Sequence, residues 1–551
     1  MAHLKRRFCL RFTGALLSTL AIVLFFACPG RTDEPDVFAI KNARIVPVSS
    51  APIEKGSVVI RGGIIDAVGI DAAIPADAWV IEGKDLVIYP GLIDAGSDIG
   101  LPGQPTPQTS VSGGRGAALA AAAAARPGEP ASNMNAYVRA ADNLTTGGKK
   151  AEDARAAGIT TVLTVPDKGI ILGQSALVNL NGDKDTMLVH SPVAMHVRLS
   201  SSGGFREYPG SLMGVLAYIK QALQDARRYQ EAWNVYNQNV RALRRPEHNR
   251  ALEALLPVVQ KKMPLVIPAN TTPEIMRAVK LGDQNDVRYI ISGGAEGWKV
   301  AATLKEKQIP VLVSLKFPEK EKDVHPEAEE SLREMQRRVD APRNPAGLNR
   351  AGVQFAFFSE GLTNPRDFIR NAGRAVKAGL PADAALRAMT LSAAEILGAQ
   401  EQLGSVEKGK IANLLITDGD LFAEKTKIRH VFVDGKKFDA PLDESKPAEP
   451  AQVNLTGKWN ATINTPHGLN SLTLDLSQSE NVLTGSVTST MGSGTITDGV
   501  VSAREFRFRL QWQMGERTMN ASFSGTIEGD TIKGKASMSF GEMDFSGSRV
   551  P

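Results

Sequence analysis

The stretch VIYPGLIDAGSDIG, residues 87–100, decides the fold. Leu86-Val87-Ile88-Tyr89 is strand-like in its β-branched and aromatic content. Pro90-Gly91 breaks it. Leu92-Ile93-Asp94 opens a second apolar run, which ends in Gly96-Ser97-Asp98. In a regular strand, residues i and i+2 face the same side. Asp94, Gly96 and Asp98 therefore share a side, two carboxylates flanking a residue with no side chain. The bland role for Asp94 is capping the strand end, and a third carboxylate in a cation site is the sharper one.

Upstream lie short β-type runs, FAIKNARIVPV (38–48), SVVIRGGIIDAVG (57–69) and AWVIEGKDLVIYPG (78–91), separated by Gly-Gly and Gly-Lys turns. Downstream the pattern changes to strands alternating with helices. The strand runs are TTVLTV (160–165), MLVHSPVAMHVRL (187–199, split by Ser191-Pro192), PLVIPAN (264–270), VRYIISGG (287–294), IPVLVSL (309–315) and QFAFFSE (354–360). PRDFIRNAGRAVKAGL (365–380) is a helix by its Phe368, Ile369, Ala372, Val376 face and its terminal Gly379. Repeated βα units of this number predict an α/β fold with a (β/α)8, TIM-like barrel over 91–399. Two insertions interrupt it: an Ala/Gly/Pro-biased stretch at 112–132, and a long helical pattern at 211–262 broken at Pro246.

β-type pattern returns at 404–422 and 427–438, so residues 37–90 and 400–438 are expected to form a composite β-sandwich. A Pro- and charge-rich linker, 440–452, follows. Residues 453–551 contain eight short alternating runs with turns about every ten residues, the pattern of an up-and-down β-barrel.

The chain has 551 residues, 42% hydrophobic and 22% charged, which excludes a largely disordered protein. The net charge of +5 is concentrated at the N-terminus: Lys5, Arg6, Arg7 and Arg11 stand in a leader, 1–27, with no acid, and setting those four aside leaves +1. No basic footprint for nucleic acid remains. GALLSTLAIVLFFA (14–27) has the length of a signal-peptide apolar region. It ends at Cys28, and LFFAC resembles a bacterial lipobox. Cys9 and Cys28 are the only cysteines, so a chain cleaved before Cys28 has no disulfide partner. The expectation is a signal peptide (1–28), lipidation at Cys28 and a tether (29–36). The protein is then exported and held at a membrane of the cell envelope or periplasm by its lipid, without spanning it.

VIYPGLIDAGSDIG resembles the first barrel strand of the amidohydrolase superfamily, in its imidazolonepropionase-like branch. GITTVLTVPDKGIILGQSALVNL (158–180) and AALRAMTLSAAEILGAQEQLGSVEKGKIANLLITDGD (384–420) resemble further signatures of that branch, and together they cover roughly 37–438. The resemblance implies hydrolysis of non-peptide, cyclic-amide C–N bonds. It also implies a divalent metal held at the barrel mouth by an H-x-H pair on strand 1, histidines on strands 5 and 6, and an Asp on strand 8. Here those places hold Gly96 and Asp98, Pro268, Gly293-Gly294, and Glu360. LTGKW (455–459) resembles the start of lipocalin- and avidin-like barrels, with Trp459 as a plug at one end.

The seven histidines are His3, His190, His196, His248, His325, His430 and His467, and of these His190 and His196 alone lie on barrel-strand runs. Asp98 and Glu360 are the remaining candidate metal ligands, Glu360 also the candidate catalytic group, with His190 or His196 in support. The cofactor is thus either none or one divalent metal. The favoured reading is a small-molecule-binding pseudoenzyme or repurposed barrel. The alternatives are an active hydrolase with a carboxylate-built metal site, and a structural envelope protein.

Overall fold

A computed structural model describes residues 37–102, 133–146, 148–200, 209–320, 330–359, 361–439, 451–465, 468–489, 492–514, 517–538 and 541–550. The leader with Cys28, the 112–132 insertion, His325, Glu360 and His467 lie outside the described residues.

The chain begins with β1 (Val37–Ile45), β2 (Ile53–Arg61), β3 (Ile64–Gly69), β4 (Trp79–Glu82) and β5 (Val87–Pro90). The Gly62-Gly63 turn joins β2 to β3 with both φ values positive, as a tight hairpin requires. The barrel strands follow: β6 (Leu92–Ser97), β7 (Ile159–Thr164), β8 (Ile171–Gln174), β9 (Ala176–Asn179), β10 (Leu188–His190), β11 (Met195–Val197), β12 (Leu265–Ala269), β13 (Tyr289–Gly293), β14 (Val311–Ser314) and β15 (Phe355–Phe358). Then β16 (Leu414–Thr417), β17 (Ile428–Val433) and β18 (Lys436–Asp439) return to the first sheet. Helices are α1 (Gly148–Ala156), α2 (Leu212–Gln238), α3 (Arg250–Val259), α4 (Thr272–Gln284), α5 (Ala301–Glu306), α6 (Leu332–Asp340), α7 (Asn344–Arg350), α8 (Asp367–Lys377), α9 (Ala382–Ala388) and α10 (Leu391–Leu397).

Both flanks of the barrel share one eight-stranded sheet in the order β18-β17-β16-β5-β1-β2-β3, with β4 on β1. The expectation of a sandwich reduces to this composite sheet. A buried polar network ties it to the barrel. Asn179 and Asn181 each donate to Asp434 at 2.6 Å, and Asn413 donates to Asn179 at 2.9 Å.

The barrel is TIM-like. β6 and β7 are parallel, and β11 through β15 form a consecutive parallel series. The remaining place is filled by β8 and β9, antiparallel to β11 and β7 respectively. The connection from β7 to β8 spans only residues 165–170, too short for the crossover helix that a parallel strand needs. At Ser175 the chain passes from one sheet to the other, its N–H donating to Ala194 O and its carbonyl accepting from Val193 N.

Alternate residues of each strand go to different cores. Ile93, Ala95, Leu163, Leu177, Val266, Ile290, Leu312 and Ala356 fill the interior together with Ala393, Ala394 and Leu397 of α10. Leu92, Val162, Leu265, Ile291, Val311 and Phe357 face outward to the helices. Burial on both faces explains why these strands read as unbroken apolar runs.

The C-terminal part is a closed antiparallel barrel of eight strands, β19 (Gly457–Thr465), β20 (Gly468–Ser479), β21 (Val482–Ser489), β22 (Gly492–Ser502), β23 (Glu505–Met514), β24 (Arg517–Glu528), β25 (Thr531–Met538) and β26 (Gly541–Arg549). Its interior is filled by Leu474, Phe506, Phe508, Phe523 and Phe545 among others. Trp459 is fully buried, donates from Nε1 to Leu455 O at 2.9 Å and lies under the Arg549 guanidinium.

Candidate functional site

The residues at the C-terminal ends of the parallel strands are where a TIM-like barrel keeps its chemistry. On β6 a bulge intervenes, since Asp94 pairs with Val162 but Ser97 with Thr164. The bulge breaks the simple alternation that puts Asp94, Gly96 and Asp98 on one side. Asp94 is fully buried. Its Oδ1 accepts from Ser359 N at 2.8 Å and from Gly96 N at 3.2 Å, linking β6 to the end of β15. Its Oδ2 has no hydrogen-bond partner among the described residues, and burial pushes the carboxyl up to about 6. Asp98 is exposed and pairs with Lys150 of α1 at 2.7 Å. Gly96 faces the ring of Phe358, and a Cβ built on it would lie 3.1 Å from Phe358 Cδ2. A side chain at this position would therefore press on the Phe358 ring.

His190 and His196 are separated by the Ser191-Pro192 break into β10 and β11. His190 is exposed. His196 is buried on the interior side of β11, its Nε2 2.9 Å from Ser175 Oγ, and burial holds its imidazole down to about 3. His196 is thus a neutral core residue satisfied by a hydroxyl. Pro268 lies within β12. Gly293 and Gly294 both have positive φ, and a Cβ on Gly293 would meet Asn270 Oδ1 at 2.3 Å. Glycine at the end of β13 is therefore a backbone requirement. Glu360 lies outside the described residues, so the expected Asp98–Glu360 pair is not brought together among them.

Beside this barrel centre lies a cleft of about 590 Å³ over the ends of β12 to β15. Asn270, Gly293, Ser314 and Lys316 form its floor, and α6 forms a wall with Arg333, Gln336, Arg337 and Asp340. Neither Gly96, Asp98, His196 nor Pro268 lines it. The cations of α6 escape a strand-end reading of the sequence because they stand on an inserted helix. The signal that would have found them is the i, i+4 spacing of Arg333 and Arg337 behind the N-cap Ser331.

Residues 299–438 match the amidohydrolase family. That span holds the last two barrel strands and the return of the chain to the composite sheet. The structure of an amidohydrolase from Thermotoga maritima MSB8 is 24% identical, covers 73% of this chain and all of its own, and superposes with a TM-score of 0.60. That likeness is one of fold. A Xaa-Pro dipeptidase with methionine bound in its active site is 17% identical over 73% of this chain and 100% of its own, with a TM-score of 0.45. A molinate hydrolase is 16% identical over 77% and 100%, with a TM-score of 0.41. No curated protein matches the sequence.

The divalent metal expected of an amidohydrolase barrel does not fit the described residues. Gly96 and Pro268 offer no side-chain donor, Asp98 is bound to Lys150, and Asp94 spends Oδ1 on two backbone N–H groups, which leaves a single oxygen, Oδ2, without a partner among the described residues. Among the described residues no group of three or more His, Cys, Asp or Glu is placed to hold a metal ion. A divalent cation needs several such donors converging on one point.

Proposed function

We propose that this protein is an exported, lipid-anchored member of the imidazolonepropionase-like branch of the amidohydrolases, whose barrel binds a small molecule and has given up metal-dependent hydrolysis. One observation carries the reading: the Phe358 ring stands against Gly96, where the first metal-ligating pair would be. The lone Asp98–Lys150 pair and the Ser175-bonded His196 support it. With no activated water, a buried amide in the site would be held and not cleaved.

Elemental analysis of the purified chain, with turnover assays on hydantoins, dihydropyrimidines, imidazolones and lactams, tests this. Substoichiometric metal and no turnover are expected. Stoichiometric metal that disappears in an Asp98→Ala/Glu360→Ala variant, with activity lost alongside, would establish a carboxylate-built hydrolase instead. The anchor is tested separately. Wild type is expected in the membrane fraction with label from radioactive fatty acid, and Cys28→Ala in the soluble fraction without it. An unlabelled wild type, or label that persists in Cys28→Ala, would refute lipidation at Cys28.

A further inference from the structure

We infer that the cleft over β12 to β15 holds its ligand by an anionic group, a carboxylate or phosphate, gripped between Lys316 and the Arg333 and Arg337 guanidinium groups of α6. This rests on the reading of the barrel as a binding protein and adds the ligand's chemistry.

The argument starts from the cleft's charges. Most of its acids are already neutralised. Glu296 pairs with Lys299 at 3.0 Å and accepts Thr272 N at 2.7 Å. Glu319 pairs with Arg374 at 3.2 Å, and Asp367 with Arg370 at 3.0 Å. Lys316, Arg333 and Arg337 have no ion pair among the described residues, against one acid, Asp340, in the same condition. Among the described residues that line the cleft, unpaired cations thus outnumber unpaired acids.

The second observation is the placement of α6, a helix with no buried residue, at the wall of the cleft. Its apolar side chains point to solvent, with Leu332 75%, Met335 40% and Val339 53% exposed. Arg333, Gln336 and Arg337, themselves exposed, line the cleft. Where it lines the cleft, α6 carries two arginines one turn apart, a like-charge pair that repels when nothing lies between it. An anion beneath the helix reverses the sign of that interaction. Arginine's fork matches carboxylate and phosphate oxygens in bidentate fashion. Lys316 supplies the opposing charge from the strand side, and Trp298, part-exposed on the rim, offers a flat face for an apolar body.

Titration calorimetry of the full chain with inorganic phosphate, benzoate and neutral benzamide tests the inference. Saturable binding of phosphate or benzoate is expected, with benzamide at least about tenfold weaker, and the preferred anion distinguishes the two sources. Arg333→Gln/Arg337→Gln and Lys316→Gln should each weaken the anion about tenfold or more. An Arg241→Gln/Arg244→Gln control, on exposed cations away from the cleft, should not. Raising salt from 0.05 to 0.5 M should weaken binding in wild type and leave little effect in the double variant. No saturable binding of either anion, or equal binding by the Arg333/Arg337 variant, would overturn the inference. Benzamide binding that Trp298→Ala abolishes would sink the anion and leave the binding reading standing. Metal-dependent turnover would sink that reading without touching the anion.

Discussion

Asp94 and His196 are two buried ionisable groups with opposite consequences for stability. Asp94 is raised to about 6, so its contribution is present below pH 4 and is lost as pH rises through 6. The shift from 3.8 is worth on the order of 3 kcal/mol. His196 is depressed to about 3, so its contribution is present above 6.5 and is lost as pH falls. Between pH 4 and 6 the two slopes oppose. Urea midpoints across that window should rise more steeply with pH in Asp94→Asn than in wild type, and should fall with pH in His196→Gln. Identical profiles in all three proteins would refute the assignment. Gly96 gives a packing counterpart. Gly96→His should cost about 1–3 kcal/mol by overpacking against Phe358, and Phe358→Ala in the same chain should recover part of it. The identities of Gly96, Asp98 and Pro268 were legible in the sequence. The burial of Asp94 was not, because the β6 bulge interrupts the period-two alternation on which the sequence reading rests.

At the scale of elements, the strand runs quoted from the sequence all recur as strands, since long apolar segments bounded by turns carry the strongest signal. The antiparallel β8–β9 segment did not announce itself. Its residues are as apolar as their parallel neighbours, and direction leaves no mark on composition. What fixes it is the close approach of β8 to the segment before α1. Gln174 N donates to Val138 O and its side chain to Ala136 O. Gly173 has φ +124°, and a Cβ there would lie 2.4 Å from Val138 O. Gly173→Ala should therefore cost more than the usual ~1 kcal/mol of a glycine exchange, on the order of 2–4 kcal/mol, read from the urea midpoint. A neutral outcome would mean that the 133–140 segment moves freely off β8. The placement of α6 over the cleft was likewise invisible, because an amphipathic pattern states that a helix has two faces and not which one meets the protein.

Across the whole molecule, the C-terminal barrel keeps a core of its own. The cluster around Trp459, Phe508, Phe523 and Phe545 shares no residue with the clusters of the TIM-like barrel or the composite sheet. Strands β19 to β26 pair only with one another, so hydrogen bonding closes on itself as well. Cooperativity follows contacts, and two bodies with separate cores and ladders unfold as separate units. Described aromatic side chains fill part of the C-terminal barrel's interior. Phe508 stacks on Phe523 at 4.9 Å, and Phe545 meets Phe523 edge-on at 5.3 Å. Calorimetry of the full chain should therefore show two transitions. Trp459→Ala empties a fully buried site, breaks the hydrogen bond to Leu455 O and strips the surface under Arg549, for about 3–5 kcal/mol. That loss should fall on one transition alone and leave the other, with any anion binding in the cleft, where it was. A common shift of both transitions would show that the two barrels fold as one body.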